Sequence, residues 1–116
     1  MNILEEINLL LQKYNKPIKY GVMTDEVEDI LIGIEIGSDK NPVYFIGTAN
    51  TLDYPLLKVT IYSNDYIDGY ELALLIAADI KSAVITGIIK QTGSIGSEYD
   101  KDLSKYLFIL KFKQIN

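Results

Sequence analysis

Four carboxylates within five positions, Asp25, Glu26, Glu28 and Asp29, form the densest group in the chain that could do chemistry, and a divalent cation is what such a group would hold. Their spacing lacks the alternating aspartates, central glycine and terminal glutamate of a calcium loop, so a solvated acidic turn is expected. Asp65 and Asp68 are a second pair with the right groups for acid–base or two-metal work. Both stand where a helix should begin, and capping accounts for them more simply. The glycines of Gly93-Ser94-Ile95-Gly96-Ser97 could approach a phosphate, but the Lys-Ser/Thr ending of a P-loop and the three-glycine dinucleotide pattern are both missing.

The remaining side-chain inventory narrows the chemistry further. There is no histidine and no cysteine among the 116 residues, which removes the commonest general base, the familiar hydrolytic triads, thiolate nucleophiles and zinc–thiolate sites. Catalysis, a metal and a cofactor are therefore not expected. All 11 basic residues are lysine and the net charge is -5, so the bidentate guanidinium fork and a basic groove for nucleic acid are absent. Nine tyrosines and three phenylalanines could stack bases, yet without arginine they read as core and contact residues. Tyr62, Tyr66 and Tyr70 bracket one strand-to-helix turn, where an apolar body with a polar tip suits a protein contact.

These residues must be carried by a single domain, residues 1–116, with 48% hydrophobic and 23% charged residues. Residues 1–12 have no basic n-region and no apolar run reaches spanning length, so an aqueous compartment and no membrane partner are expected. Ile3, Ile7, Leu10 and Tyr14 recur at helical spacing until Pro17, with Asn2 and Glu5 as a cap. A short extended piece at 18–23 precedes the acidic turn. Ile30, Ile32, Ile34 and Ile36 then alternate as a half-buried strand. Residues 37–42 read as a turn, 43–47 as a short returning strand and 48–53 as an irregular connection. Leu57, Val59 and Ile61 form one face of the next strand, with Lys58, Thr60 and Tyr62 on the other. A helix follows to Ala83 or Val84, ended by Gly87, whose apolar residues wrap almost its whole circumference, as in a helix that must be covered on two sides. Residues 88–92 and 106–113 read as strands, with 93–105 as a long mobile loop between them. The fold class expected is α/β of the α+β kind: a mixed or antiparallel sheet of about four to five strands, packed by an N-terminal helix and a long central helix.

Two contact surfaces follow from this pattern. The over-apolar helix and its strand nominate Tyr62, Tyr66, Tyr70, Leu74, Ile76, Ala77, Ile80 and Lys81 for a contact between subunits. The polar loop nominates Ser94, Ser97, Glu98, Tyr99, Asp100, Lys101 and Asp102 for a partner.

Tyr54-Pro55 leading into Leu57-Lys58-Val59-Thr60-Ile61-Tyr62-Ser63, then Asn64-Asp65-Tyr66 and the helix around Glu71-Leu72-Ala73, resembles the core of tailed-phage tail terminator and minor capsid proteins. Residues 30–37 and the run Tyr106-Leu107-Phe108-Ile109-Leu110-Lys111-Phe112 extend the likeness over about residues 18–115. The family often has arginine where Tyr62 stands, so a contact made by that arginine does not carry over. The resemblance implies a virion protein of the tail or neck, assembled in the bacterial host cytoplasm. It would form rings, typically hexamers, that cap the tail tube and meet a head-side connector, with no catalytic activity. A head–tail connector or minor capsid protein of the same fold is the alternative, and a small-molecule or metal-binding α/β domain a more remote one.

Overall fold

The computed structural model describes residues 3–21, 28–41, 52–82, 88–91 and 94–115. Helix α1 (Ile3–Leu11) opens the chain and tightens into a 3-10 turn at Gln12–Tyr14. It ends on Asn15, whose backbone is left-handed at φ 56° and whose N–H donates to the Gln12 carbonyl at 3.1 Å. Pro17 does stop the helix, and its carbonyl accepts the Ile32 N–H at 2.9 Å, which seats β1 (Ile18–Tyr20) parallel to β2 (Ile30–Asn41). Strand β3 (Leu52–Ser63) returns antiparallel to β2, and helix α2 (Tyr66–Ser82) leaves from its end. Strands β4 (Ile88–Gln91), β5 (Gly96–Asp100) and β6 (Lys105–Ile115) complete the chain.

The strands form one mixed sheet in the order β1-β2-β3-β6-β4, with β5 also paired to β6. This is the expected α+β architecture, six strands in five positions, because β4 and β5 share one edge. Gln91 of β4 pairs with Phe112 and Gly96 of β5 with Ile109, so the two strands follow one another along β6.

Both helices pack on one face of the sheet. Ile32 and Ile34 of β2, Leu57, Val59 and Ile61 of β3, and Phe108, Leu110 and Phe112 of β6 meet Ile7 and Leu11 of α1 and Leu72, Ala73, Ile76 and Ile80 of α2. The period-2 pattern of β3 and β6 placed these residues on one face, and the structure keeps them there. On the opposite face Leu31, Tyr62 and Leu107 form a small second cluster with Leu103 packed on it. The Tyr62 ring lies over Gly33, where a Cβ would stand 3.0 Å from its Cε2 atom.

Three local expectations are corrected. Residues 37–41 are not a turn but the continuation of β2, paired from Gly37↔Leu56 to Asn41↔Leu52. Leu52 and Asp53 accordingly belong to β3 rather than to an irregular connection. Polar side chains at 38–41 do not break a strand whose backbone groups are satisfied by a partner. The stretch 93–105 is not a loop throughout: β5 and the turn at residues 101–104 form a hairpin with β6. The expected strand at 43–47, the Asn2 cap, Asp25, Glu26 and the C-terminal end of the second helix near Val84 and Gly87 lie outside the described residues.

Candidate functional site

The start of α2 is set by Asp65. Its Oδ2 accepts the Asp68 N–H at 3.0 Å and its carbonyl accepts the Gly69 N–H at 3.1 Å, the geometry of an N-cap. Ser63 steadies the approach: its hydroxyl donates to the Asp65 carbonyl at 2.7 Å. Asp29 and Asn64 close the corner, with Asn64 Nδ2 donating to Asp29 Oδ1 at 2.9 Å. Lys105, only 4% exposed, donates to the Asn64 side-chain oxygen from the neighbouring strand. Asp29, Asp65, Asp68, Glu71 and Lys16 are among the residues that line an open depression of about 700 Å³. Two of the four carboxylates are thus engaged in shaping the turn. Among the described residues no three carboxylates converge as a cation site would require.

The outer side of α2 is different. Gly69, Leu72, Ala73, Ile76, Ala77 and Ile80 face the sheet and are buried. Ile67 (64% exposed), Leu75 (56%) and Leu74 (45%) point the other way, and Tyr70 and Tyr66 flank them. A soluble helix normally turns charge outward, and here Asp68, Glu71, Lys81 and Ser82 are exposed among these apolar residues. Tyr66 is the hinge of an aromatic cluster. It stacks on Tyr70 at 6.4 Å between centroids and meets the edges of Tyr106 at 5.4 Å and Phe108 at 5.1 Å. Tyr99 of β5 continues the row against Tyr106 at 4.9 Å. Such packing fixes the rings while leaving the outer surfaces of Tyr66, Tyr70 and Tyr99 in water.

The nominated contact residues divide accordingly. Tyr66, Tyr70, Leu74 and Lys81 lie exposed on α2 and remain available. Ile76, Ala77 and Ile80 do not: at 0%, 9% and 1% exposure they belong to the chain's own core. Tyr62 is likewise withdrawn, 6% exposed on the far side of the sheet from α2. Ile67 and Leu75, which are not among the nominated residues, are also exposed on α2. A signal that points to that side is Gly69, whose missing Cβ lets the helix approach Phe108 and Ser63 and so leaves the opposite side outward.

The second nominated set sits on the β5–β6 hairpin and the residues leading into it. Ser94, Ser97, Glu98, Tyr99, Lys101 and Asp102 are exposed there. Asp100 is half-buried, and its Oδ1 accepts the N–H groups of Asp102 at 2.9 Å and Leu103 at 3.1 Å, which holds the turn.

Among the described residues no helix is long and apolar enough to cross a membrane. No protein-family profile matches the sequence, and no curated protein matches it closely enough to count as a relative.

Proposed function

We propose that this chain is a structural subunit that assembles with copies of itself into a ring, of the kind that closes a phage tail tube and joins it to the head-side connector. The observation that carries the assembly reading is the outer side of α2, where Ile67, Leu74 and Leu75 stand exposed in a lone protomer, with Glu71 between them. Covering a patch of this kind is what drives association in water. The Tyr66–Tyr70 pair at its border supplies rigid rings that lose little entropy on docking.

The placement at the tail rests on the likeness of the segment from Tyr54-Pro55 through Glu71-Leu72-Ala73 to tail terminators. In that role the chain acts by shape. A ring whose lower side fits the last tube ring, and whose upper side does not repeat it, stops a stack that would otherwise continue. The exposed turn at 101–104 and the outer edge of β5 offer the polar surface for tube or connector, since a hairpin held by Asp100 presents its side chains without reordering.

Negative-stain microscopy of the purified protein, alone and mixed with tail tubes, tests this directly. Rings that bind tube ends support the proposal. Dispersed particles that leave tube ends bare, at concentrations where tubes are stable, overturn it.

A further inference from the structure

Ile67, Glu71, Leu74, Ala78 and Lys81 follow one another along α2 at intervals of four, three, four and three residues, the spacing that lines up one seam along a helix. All five are exposed, while Gly69, Leu72, Ala73, Ile76, Ala77 and Ile80 turn to the sheet. The seam is apolar at Ile67, Leu74 and Ala78, acidic at Glu71 and basic at Lys81, which stands in the last turn of the helix. Among the described residues neither of these two charges has an ion-pair partner within the chain.

We infer that this seam packs on the same seam of a second copy of the chain, the two helices running antiparallel about a two-fold axis. The inference rests on the assembly reading above and adds which surface meets which. Facing seams pair layer by layer, and the charges choose among the arrangements. A parallel pairing sets Glu71 against Glu71 and Lys81 against Lys81 of the second copy, like charge on like. An antiparallel pairing centred level with Ile76 sets Glu71 of each copy against Lys81 of the other, and Leu74 against Ala78, a large side chain over a small one. Moved by seven residues, the antiparallel pairing puts Glu71 on Leu74 and carries Lys81 past the start of the facing helix. Only the centred arrangement joins opposite charges and covers Leu74 at once, and symmetry makes it do so twice. Leu75, beside the seam, then faces Leu75 of the second copy next to the axis. Opposite charges flanking an apolar contact fix its register and speed encounter. A two-fold contact closes a pair, so a ring joins such pairs through a further surface.

The chain has no cysteine, so introduced thiols are the only ones present. Leu74→Cys and Ala78→Cys alter exposed positions, and circular dichroism checks that each variant is folded. Under mild oxidation a mixture of the two single variants should give a disulfide-linked dimer, each alone should give little, and the double variant should stop at a linked dimer. Charge exchange supplies a second readout: Glu71→Lys should weaken self-association about tenfold, since two facing ion pairs become repulsive. Lys81→Glu in the same chain should recover most of that loss. Linking of Leu74→Cys to itself, a ladder of linked subunits from the double variant, or no recovery on charge exchange overturns the two-fold contact, and with the oligomeric mass of the wild type retained it leaves the assembly reading standing. Retained assembly with no linking in any sample does the same. A wild-type protein that sediments as a monomer throughout overturns both.

Discussion

Gly69 of α2 lies against Phe108 of β6 so closely that a Cβ on the glycine would stand 2.7 Å from the phenylalanine ring and 2.8 Å from the Ser63 Cβ. The helix is therefore pressed onto the sheet at its first turn, which sends Tyr66 and Tyr70 over Phe108 and turns Ile67 and Leu74 outward. A glycine in a helix costs up to about 1 kcal/mol relative to alanine, whereas overpacking a tight contact costs about 1–3 kcal/mol. The second effect wins here because the Ser63 side is strand, not a flexible tip. Gly69→Ala should lower stability by about 1–2 kcal/mol in urea denaturation; a stabilised variant would show that the contact relaxes freely.

Two substitutions on the same helix should separate folding from association. Ile76 is fully buried, so Ile76→Ala should cost about 2–5 kcal/mol of folding stability. Leu74→Asp changes an exposed position and should alter stability by less than about 0.5 kcal/mol while weakening self-association. Thermal melting at low protein concentration, beside sedimentation at high concentration, reads the two effects apart.

The capping residue gives a smaller, local effect. Asp65→Ala removes the acceptor of the Asp68 N–H and should cost about 1 kcal/mol. Asp65→Asn should retain most of it, since an amide oxygen caps nearly as well. Equal losses in both variants by urea denaturation would point to the charge rather than to the hydrogen bond.

Asp79 joins α2 to the 3-10 turn by accepting from Tyr14 and by pairing with Lys13 Nζ at 2.8 Å. The lysine side chain is 54% exposed, and ion pairs of that kind are worth only about 0–1 kcal/mol. Lys13→Ala should therefore scarcely move the midpoint, and Tyr14→Phe should move it more, because a half-buried carboxylate then loses a donor. The reverse order in denaturant midpoints would contradict this ranking.

Much of this architecture was legible in the sequence. Alternation of Leu57, Val59 and Ile61, and of Tyr106, Phe108, Leu110 and Phe112, assigned the core face of the two central strands, because a one-residue period shift would expose all of them. The helix was legible as an element but not in its orientation. With Leu, Ile or Ala on nearly every side, hydrophobicity no longer distinguishes the face turned to the sheet, so Ile76 and Ile80 looked as suited to a partner as Leu74. The structure turns Gly69, Leu72, Ala73, Ile76, Ala77 and Ile80 to the sheet and leaves Ile67 and Leu75 outside. Strand β5 was hidden because Gly96-Ser97-Glu98-Tyr99-Asp100 has a single large apolar body, Tyr99, and is held by pairing with β6 rather than by burial. The continuation of β2 through Ser38-Asp39-Lys40-Asn41 was hidden because these polar residues read as a turn cluster, whereas their backbone is paired with β3.

The central claim is that the exposed outer face of α2 is covered by another copy of the chain. Analytical ultracentrifugation of the wild-type protein beside Ile67→Asp/Leu74→Asp, at matched helix content and over a hundredfold range of concentration, tests it most directly. The expected result is a discrete wild-type oligomer and a folded, monomeric variant. A wild-type protein that stays monomeric at the highest concentration, or a variant that assembles as the wild type does, would contradict it.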